Sequence, residues 1–120
     1  MQRATPHLSP EEAGAYGAPY PDQSYKAGVR RFPELVMVRP DMEGVNTSKR
    51  AAKWWAQDWT GQSFMAIGMA DPVSGPSSMT ALRAGIKDCP EPLQIKEGGH
   101  FVQEWGDQIA HAALQAFGDT

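Results

Sequence analysis

The feature that most constrains the fold is the alternation of two short strand-like runs with helical patterns in the second half of the chain. Residues 63–69 form a continuous apolar run of strand length, and residues 92–96 form a second, shorter candidate strand. Helical patterns lie before, between and after them, over about 47–59, 74–86 and 101–117. Because a continuous apolar run is typical of a strand buried on both faces, this order predicts an α/β fold with parallel strands covered by helices.

The first third of the chain is interrupted more often. Ser9, with Glu12 three residues later, has the pattern of a helix N-cap with a capping box. The segment 18–22 ends that helix because it contains two prolines. Apolar positions over 24–36 then fit one face of a second helix, with a break near Phe32, where a proline follows.

Composition limits the classes of function. The chain has 120 residues, 41% of them hydrophobic, and a net charge of −3 at pH 7, which fits one domain. Basic residues occur mostly as isolated pairs, so no basic stripe indicates a nucleic-acid partner. Residues 1–7 contain no apolar core of a signal peptide, and no run approaches the roughly 20 apolar residues that span a bilayer. These features predict a cytoplasmic protein with no nucleic-acid or membrane partner.

Cysteine and histidine usage argues against a covalent or metal cross-link. Cys89 is the single cysteine, so an internal disulfide cannot form. The three histidines lie too far apart in sequence to pair as metal ligands on one helix. We therefore expect neither a metal nor another cofactor.

Two residues with the chemistry of an acid–base pair follow the predicted strands. Asp71 follows the run 63–69, and His100 follows the run 92–96 after two glycines that suit a sharp turn. Ligands of open parallel sheets bind beyond the carboxyl ends of the strands, so both residues are predicted at that edge. A histidine, with an ordinary pKa of about 6.5, can accept a proton from water there. A carboxylate on its other ring nitrogen fixes the tautomer and stabilises the imidazolium.

Plain structural roles fit the same two residues. Asp71 stands before Pro72, as turn aspartates often do, and His100 can cap the last helix. The chain shows no matching nucleophile. Spacing alone leaves the catalytic and the structural interpretation open.

Four stretches carry a resemblance to a known family: residues 18–22, 24–33, 64–69 and 99–104. They resemble the carboxyl-terminal portion of a haloalkane dehalogenase of the α/β-hydrolase fold, of the xanthobacterial type that degrades 1,2-dichloroethane. The Gly-His-Phe triplet is shared by many α/β-hydrolases, whereas the segment 19–33 is much more specific. The resemblance implies that residues 1–33 are the end of a helical cap and its return segment, and that residues 34–120 are the carboxyl-terminal part of the main domain.

The resemblance also implies roles for individual residues. His100 corresponds to the base that activates water, and Asp71 to the acid that orients it. Five apolar residues correspond to positions that line the substrate cavity: Val29, Phe32, Pro33, Val36 and Phe101. In the implied reaction an aspartate displaces halide from a small halogenated hydrocarbon, and water hydrolyses the resulting alkyl ester.

The resemblance implies that the nucleophilic aspartate, the oxyanion-hole donors and the halide-binding tryptophans of the family would lie upstream of the first residue of this sequence. The implied partners are therefore the haloalkane, water and the missing amino-terminal part of the same enzyme. Two alternatives stay open: another capped α/β-hydrolase such as an epoxide hydrolase, and a truncated relic without catalysis. One departure bears on substrate range, because the sequence has Pro72, Val73 and Ser74 where related enzymes carry apolar side chains after the acid.

Overall fold

The computed structural model describes residues 8–118, so residues 1–7 of the predicted cap segment and residues 119–120 lie outside the described residues. Within 8–118 the helices and strands are α1 (Pro10–Ala15), α2 (Ala27–Arg31), α3 (Val45–Gln57), β1 (Ala66–Gly68), α4 (Pro76–Ala84), β2 (Leu93–Ile95) and α5 (Gly106–Phe117). Short 3₁₀ turns cover Gln23–Lys26, Phe32–Leu35 and Val102–Trp105. No helix in this part of the chain is long and apolar enough to cross a membrane.

The two strands form a small parallel sheet. Ala66 pairs with Leu93, and Gly68 pairs with Ile95, while α4 makes the connection between the strands. Ile67 and Ile95 are each 3% exposed and form the centre of the core. The predicted parallel α/β arrangement is therefore confirmed, although the ladder is shorter than the predicted runs because only three residues of each strand lie opposite one another.

The first helix begins as predicted. The Ser9 hydroxyl accepts a hydrogen bond from the Glu12 N–H at 3.2 Å, and the Glu12 carboxylate accepts one from the Ser9 N–H at 2.8 Å. This capping box satisfies two N–H groups that a helix start otherwise leaves unpaired. The predicted break near Phe32 is also present, since α2 gives way there to the 3₁₀ turn Phe32–Leu35.

Three helix starts differ from the prediction. The helix expected from about residue 24 first winds as the 3₁₀ turn Gln23–Lys26, and α2 begins at Ala27. The sequence predicts Thr47 or Ser48 as the N-cap of α3, but Gly44 takes that place with φ 89°, a left-handed conformation that glycine adopts without steric cost. Its carbonyl accepts the Ser48 N–H at 2.8 Å, so the first turn closes earlier in the chain. The last helix starts at Gly106 instead of near Phe101, because the segment between them winds as a 3₁₀ turn.

Candidate active site

Asp71 and His100 come together beyond the carboxyl ends of the two strands. Asp71 follows β1 and His100 follows β2. The Nδ1 atom of His100 lies 3.1 Å from both carboxylate oxygens of Asp71. Parallel pairing is the cause of this contact, since it brings the ends of the two strands to the same edge of the sheet.

Glycines let the two loops that follow the strands approach this closely. A Cβ atom on Gly68 would lie 2.6 Å from the carbonyl oxygen of Gly99 and 2.7 Å from that of Gly98. The Ala70 N–H also donates to the Gly98 carbonyl at 2.9 Å. The chain turns after β2, since the Gly98 N–H donates to the Ile95 carbonyl at 3.0 Å. Neither Gly98 nor Gly99 has a positive φ, so the absence of a side chain matters here for close backbone approach.

The carboxylate of Asp71 is buried and well supplied with donors. Its side chain is 8% exposed, and Oδ1 accepts the Val73 N–H at 2.7 Å. Burial raises the pKa of Asp71, but hydrogen bonds from the backbone N–H groups of Val73 and Ser74 and from His100 outweigh it, so this pKa lies below its ordinary value. Asp71 is therefore an anion at neutral pH.

An anionic Asp71 determines the tautomer of His100. The carboxylate can only accept, so the hydrogen of the neutral ring belongs on Nδ1. The other nitrogen, Nε2, then carries a lone pair. Since the side chain of His100 is 39% exposed, this arrangement can remove a proton from a water molecule in contact with Nε2.

An open apolar groove of about 790 Å³ leads to the histidine. Its walls combine residues from the segment before α2, from α2, from the following 3₁₀ turn and its end, and from the loops after the strands: Tyr20, Tyr25, Gly28, Val29, Phe32, Pro33, Val36, Val73 and His100. Four of the five predicted cavity residues thus share one groove with His100. Phe101 lines a neighbouring groove of about 640 Å³ instead. The two grooves adjoin, because Tyr20 and Val29 contribute to both.

Sequence reasoning missed four residues of the groove: Tyr20, Tyr25, Gly28 and Val73. Val73 follows Asp71 so closely that its place beyond β1 could have been recognised. Tyr20 and Tyr25 lie within the specific segment 19–33, but nothing in the local pattern shows which way a tyrosine faces. The tryptophans at positions 54, 55 and 59 pack on one another with ring centroids 4.7–5.4 Å apart, and none of them lines this groove.

Residues 8–118 include no group of three or more His, Cys, Asp or Glu side chains that could hold a metal ion. Cys89 is half-buried and carries a free thiol.

Comparison with known proteins finds relatives among the haloalkane dehalogenases. No family model matches the chain. A haloalkane dehalogenase from Psychrobacter cryohalolentis is 36% identical over 116 residues, which cover 94% of this chain and 38% of that enzyme. A haloalkane dehalogenase from Mycobacterium marinum is 34% identical over 98 residues, covering 81% of this chain and 32% of the relative.

Structural comparison finds the tetrameric haloalkane dehalogenase DpaA from Paraglaciecola agarilytica NO2. It superimposes with a TM-score of 0.87 at 43% sequence identity, over 95% of this chain and 38% of DpaA. The chain therefore spans well under half the length of the relatives that it matches.

Proposed function

We propose, on the premise that this chain is a homologue of the haloalkane dehalogenases and shares their α/β-hydrolase fold, that it supplies the acid–base half of a hydrolytic dehalogenation site. The homology confirms the resemblance recognised in the sequence, while the xanthobacterial subgroup stays a prediction. The observation that carries the proposal is the contact of His100 Nδ1 with both oxygens of Asp71, at the end of an apolar groove. The nucleophilic half belongs to the part of the relatives that this chain does not cover.

In the proposed reaction a carboxylate oxygen of that other half attacks the carbon that bears the halogen. The carbon–halogen bond breaks, halide leaves with the electron pair, and an alkyl ester forms. His100 Nε2 then takes a proton from water, whose oxygen adds to the ester carbonyl. The acyl–oxygen bond breaks, and the alcohol leaves with the proton from His100. The carboxylic acid that remains gives its proton, through the freed Nε2, to solvent water, which restores the carboxylate.

The groove suits a haloalkane better than a polar substrate. Apart from His100 and the two tyrosines, its side chains are hydrocarbon, and no Asp, Glu, Lys or Arg lines it. A haloalkane offers little to hydrogen-bond, so apolar contact holds it. Closing this groove with the remainder of an enzyme excludes water, which makes a carboxylate nucleophile more reactive.

The test is a full-length chimera in which this chain replaces the aligned segment of DpaA, which it matches with a TM-score of 0.87. We expect the chimera to convert 1-bromobutane to bromide and 1-butanol, because the chain brings His100 and Asp71 into the site. Bromide is followed by ion chromatography and butanol by gas chromatography. Unmodified DpaA is the reference for each assay. A chimera that folds, as judged by circular dichroism and gel filtration, but releases no bromide contradicts the proposal.

Changing Gly68 to alanine in this chimera is expected to lower turnover by about 100-fold, the loss that follows from a displacement of about 1 Å in a catalytic group. The new methyl group would lie 2.6 Å from the Gly99 carbonyl oxygen, which pushes the loop that holds His100 away from Asp71. The measurement is steady-state bromide release. Gly14→Ala is the matched control, because nothing lies within 4 Å of a Cβ at that position. Equal rates for the two variants would show that turnover does not depend on the close approach of Gly68 to the Gly99 carbonyl.

A further inference from the structure

Tyr16 connects the first helix to the segment that follows His100. It lies at the carboxyl end of α1, and its hydroxyl donates a hydrogen bond to the Glu104 carboxylate, 88 residues further along the chain. The same oxygen accepts a hydrogen bond from Gln103 Nε2 at 3.0 Å. Both partners belong to the 3₁₀ turn Val102–Trp105, so one hydroxyl holds two residues of that turn.

The ring of Tyr16 continues this contact toward the histidine. Its centroid lies 5.1 Å from that of Phe101, with the two planes inclined by 61°. The Phe101 ring in turn lies 5.6 Å from the His100 imidazole at 87°. Such edge-to-face pairs are a favoured aromatic geometry. Three rings therefore pack in series from α1 to the imidazole.

We infer that Tyr16 is a positioning residue for His100: its hydroxyl fixes the 3₁₀ turn after the histidine, and its ring fixes Phe101 against the imidazole. The inference rests on the proposed function for its catalytic meaning. Asp71 holds only the Nδ1 edge of the His100 ring, and the side chain is otherwise 39% exposed. Contacts on a second side restrict how the ring tilts, and so where Nε2 points.

The hydroxyl is suited to a permanent donor role. The hydrogen bond to the Glu104 carboxylate raises the pKa of Tyr16 above its ordinary value, so the phenol stays protonated at neutral pH. Hydrogen bonds to a charged acceptor are stronger than those between neutral groups. The hydroxyl of Tyr16 therefore remains a donor to Glu104 at the neutral pH at which a histidine acts as a base.

The test is Tyr16→Phe in the full-length chimera, which keeps the ring and removes only the hydroxyl. We expect the hydrogen on His100 Nδ1, observed by proton NMR, to exchange with water roughly tenfold faster, because its bond to Asp71 opens more often. We also expect kcat for 1-bromobutane to fall by about tenfold with KM changed by less than about twofold. Exchange and kcat equal to those of the parent chimera would overturn the inference.

Variants of Glu104 test the same inference without relying on the Tyr16 substitution alone. Glu104→Ala removes one of the two hydrogen bonds of the Tyr16 hydroxyl and is expected to give part of the Tyr16→Phe effect in both measurements. The double variant is expected to equal Tyr16→Phe alone, because that change already removes the bond to Glu104. Glu104→Gln retains an acceptor oxygen and is expected to restore most of the parental behaviour. Glu43→Ala removes an exposed carboxylate outside the cluster and serves as control. Effects that simply add in the double variant contradict the inference.

The two proposals fail in different ways. If the parent chimera releases no bromide, the proposed function is wrong, while the proton exchange still reports whether Tyr16 fixes the ring. If bromide is released but the exchange and kcat do not respond to Tyr16→Phe, the positioning role alone is wrong.

Discussion

In the full-length chimera, replacing His100 by alanine is expected to stop turnover after one halide ion per active site. Halide displacement needs the nucleophilic carboxylate but no base, so the alkyl ester still forms. Hydrolysis of the ester needs water that has lost a proton to Nε2, and the variant has no group in that place. Steady-state turnover should fall by about 10⁴-fold or more, the range found when a catalytic base is removed.

Two measurements check this expectation. Rapid-mix experiments with 1-bromobutane should show a bromide burst equal to the enzyme concentration, and mass spectrometry of the intact protein should show one added butyl group. His111→Ala is the matched control, because that histidine lies on α5 with its side chain 72% exposed and contacts Asp107. Continued turnover by the His100 variant would show that His100 is not the base. A variant that binds substrate but neither releases bromide nor gains a butyl group would contradict the order of steps.

Much of the site could be predicted because it depends on patterns that are local in sequence. Each apolar run marks a strand, and the residue after each strand marks the edge of the sheet. Parallel pairing then brings Asp71 and His100 within 3.1 Å, although 29 residues separate them. The capping box of α1 could also be predicted, since Ser9 and Glu12 are only three residues apart.

The contacts of Tyr16 could not be predicted in this way. Its hydrogen-bond partners lie 87 and 88 residues away, and neither a period nor a motif relates the two segments. The same limit applies to the groove. A sequence shows that Phe32 and Phe101 are apolar, but which groove each one lines depends on how the segments from the first third of the chain lie against the loops after the strands.

The prediction of where α3 begins was wrong for a different reason. Thr47 and Ser48 are good N-cap residues, yet the helix begins at Val45. Gly44 can adopt a left-handed φ of 89° and turn the chain into the helix one turn earlier. Local preference for a side-chain cap was therefore outweighed by a backbone conformation that only glycine adopts easily.

Replacing Asp71 by asparagine in the chimera is expected to lower kcat by roughly 10³–10⁴-fold with little change in KM. The asparagine amide can donate to His100 Nδ1, which moves the ring hydrogen to Nε2 and removes the lone pair that water needs. The negative charge that stabilises the imidazolium is lost as well. Asp58→Asn, at an exposed position at the end of α3, is the matched control.

The pH dependence of stability gives this variant a second readout. Because the pKa of Asp71 lies below its ordinary value in the folded state, its ionised form contributes stability above the unfolded pKa of about 3.9, and that contribution is lost as pH falls through the folded pKa. Urea unfolding at pH 7 and pH 3 should therefore show a larger difference between parent and Asp71→Asn at pH 7. Equal differences at both pH values would contradict the lowered pKa of Asp71. A variant kcat within about tenfold of the parent would show that Asp71 is not the partner of a catalytic base.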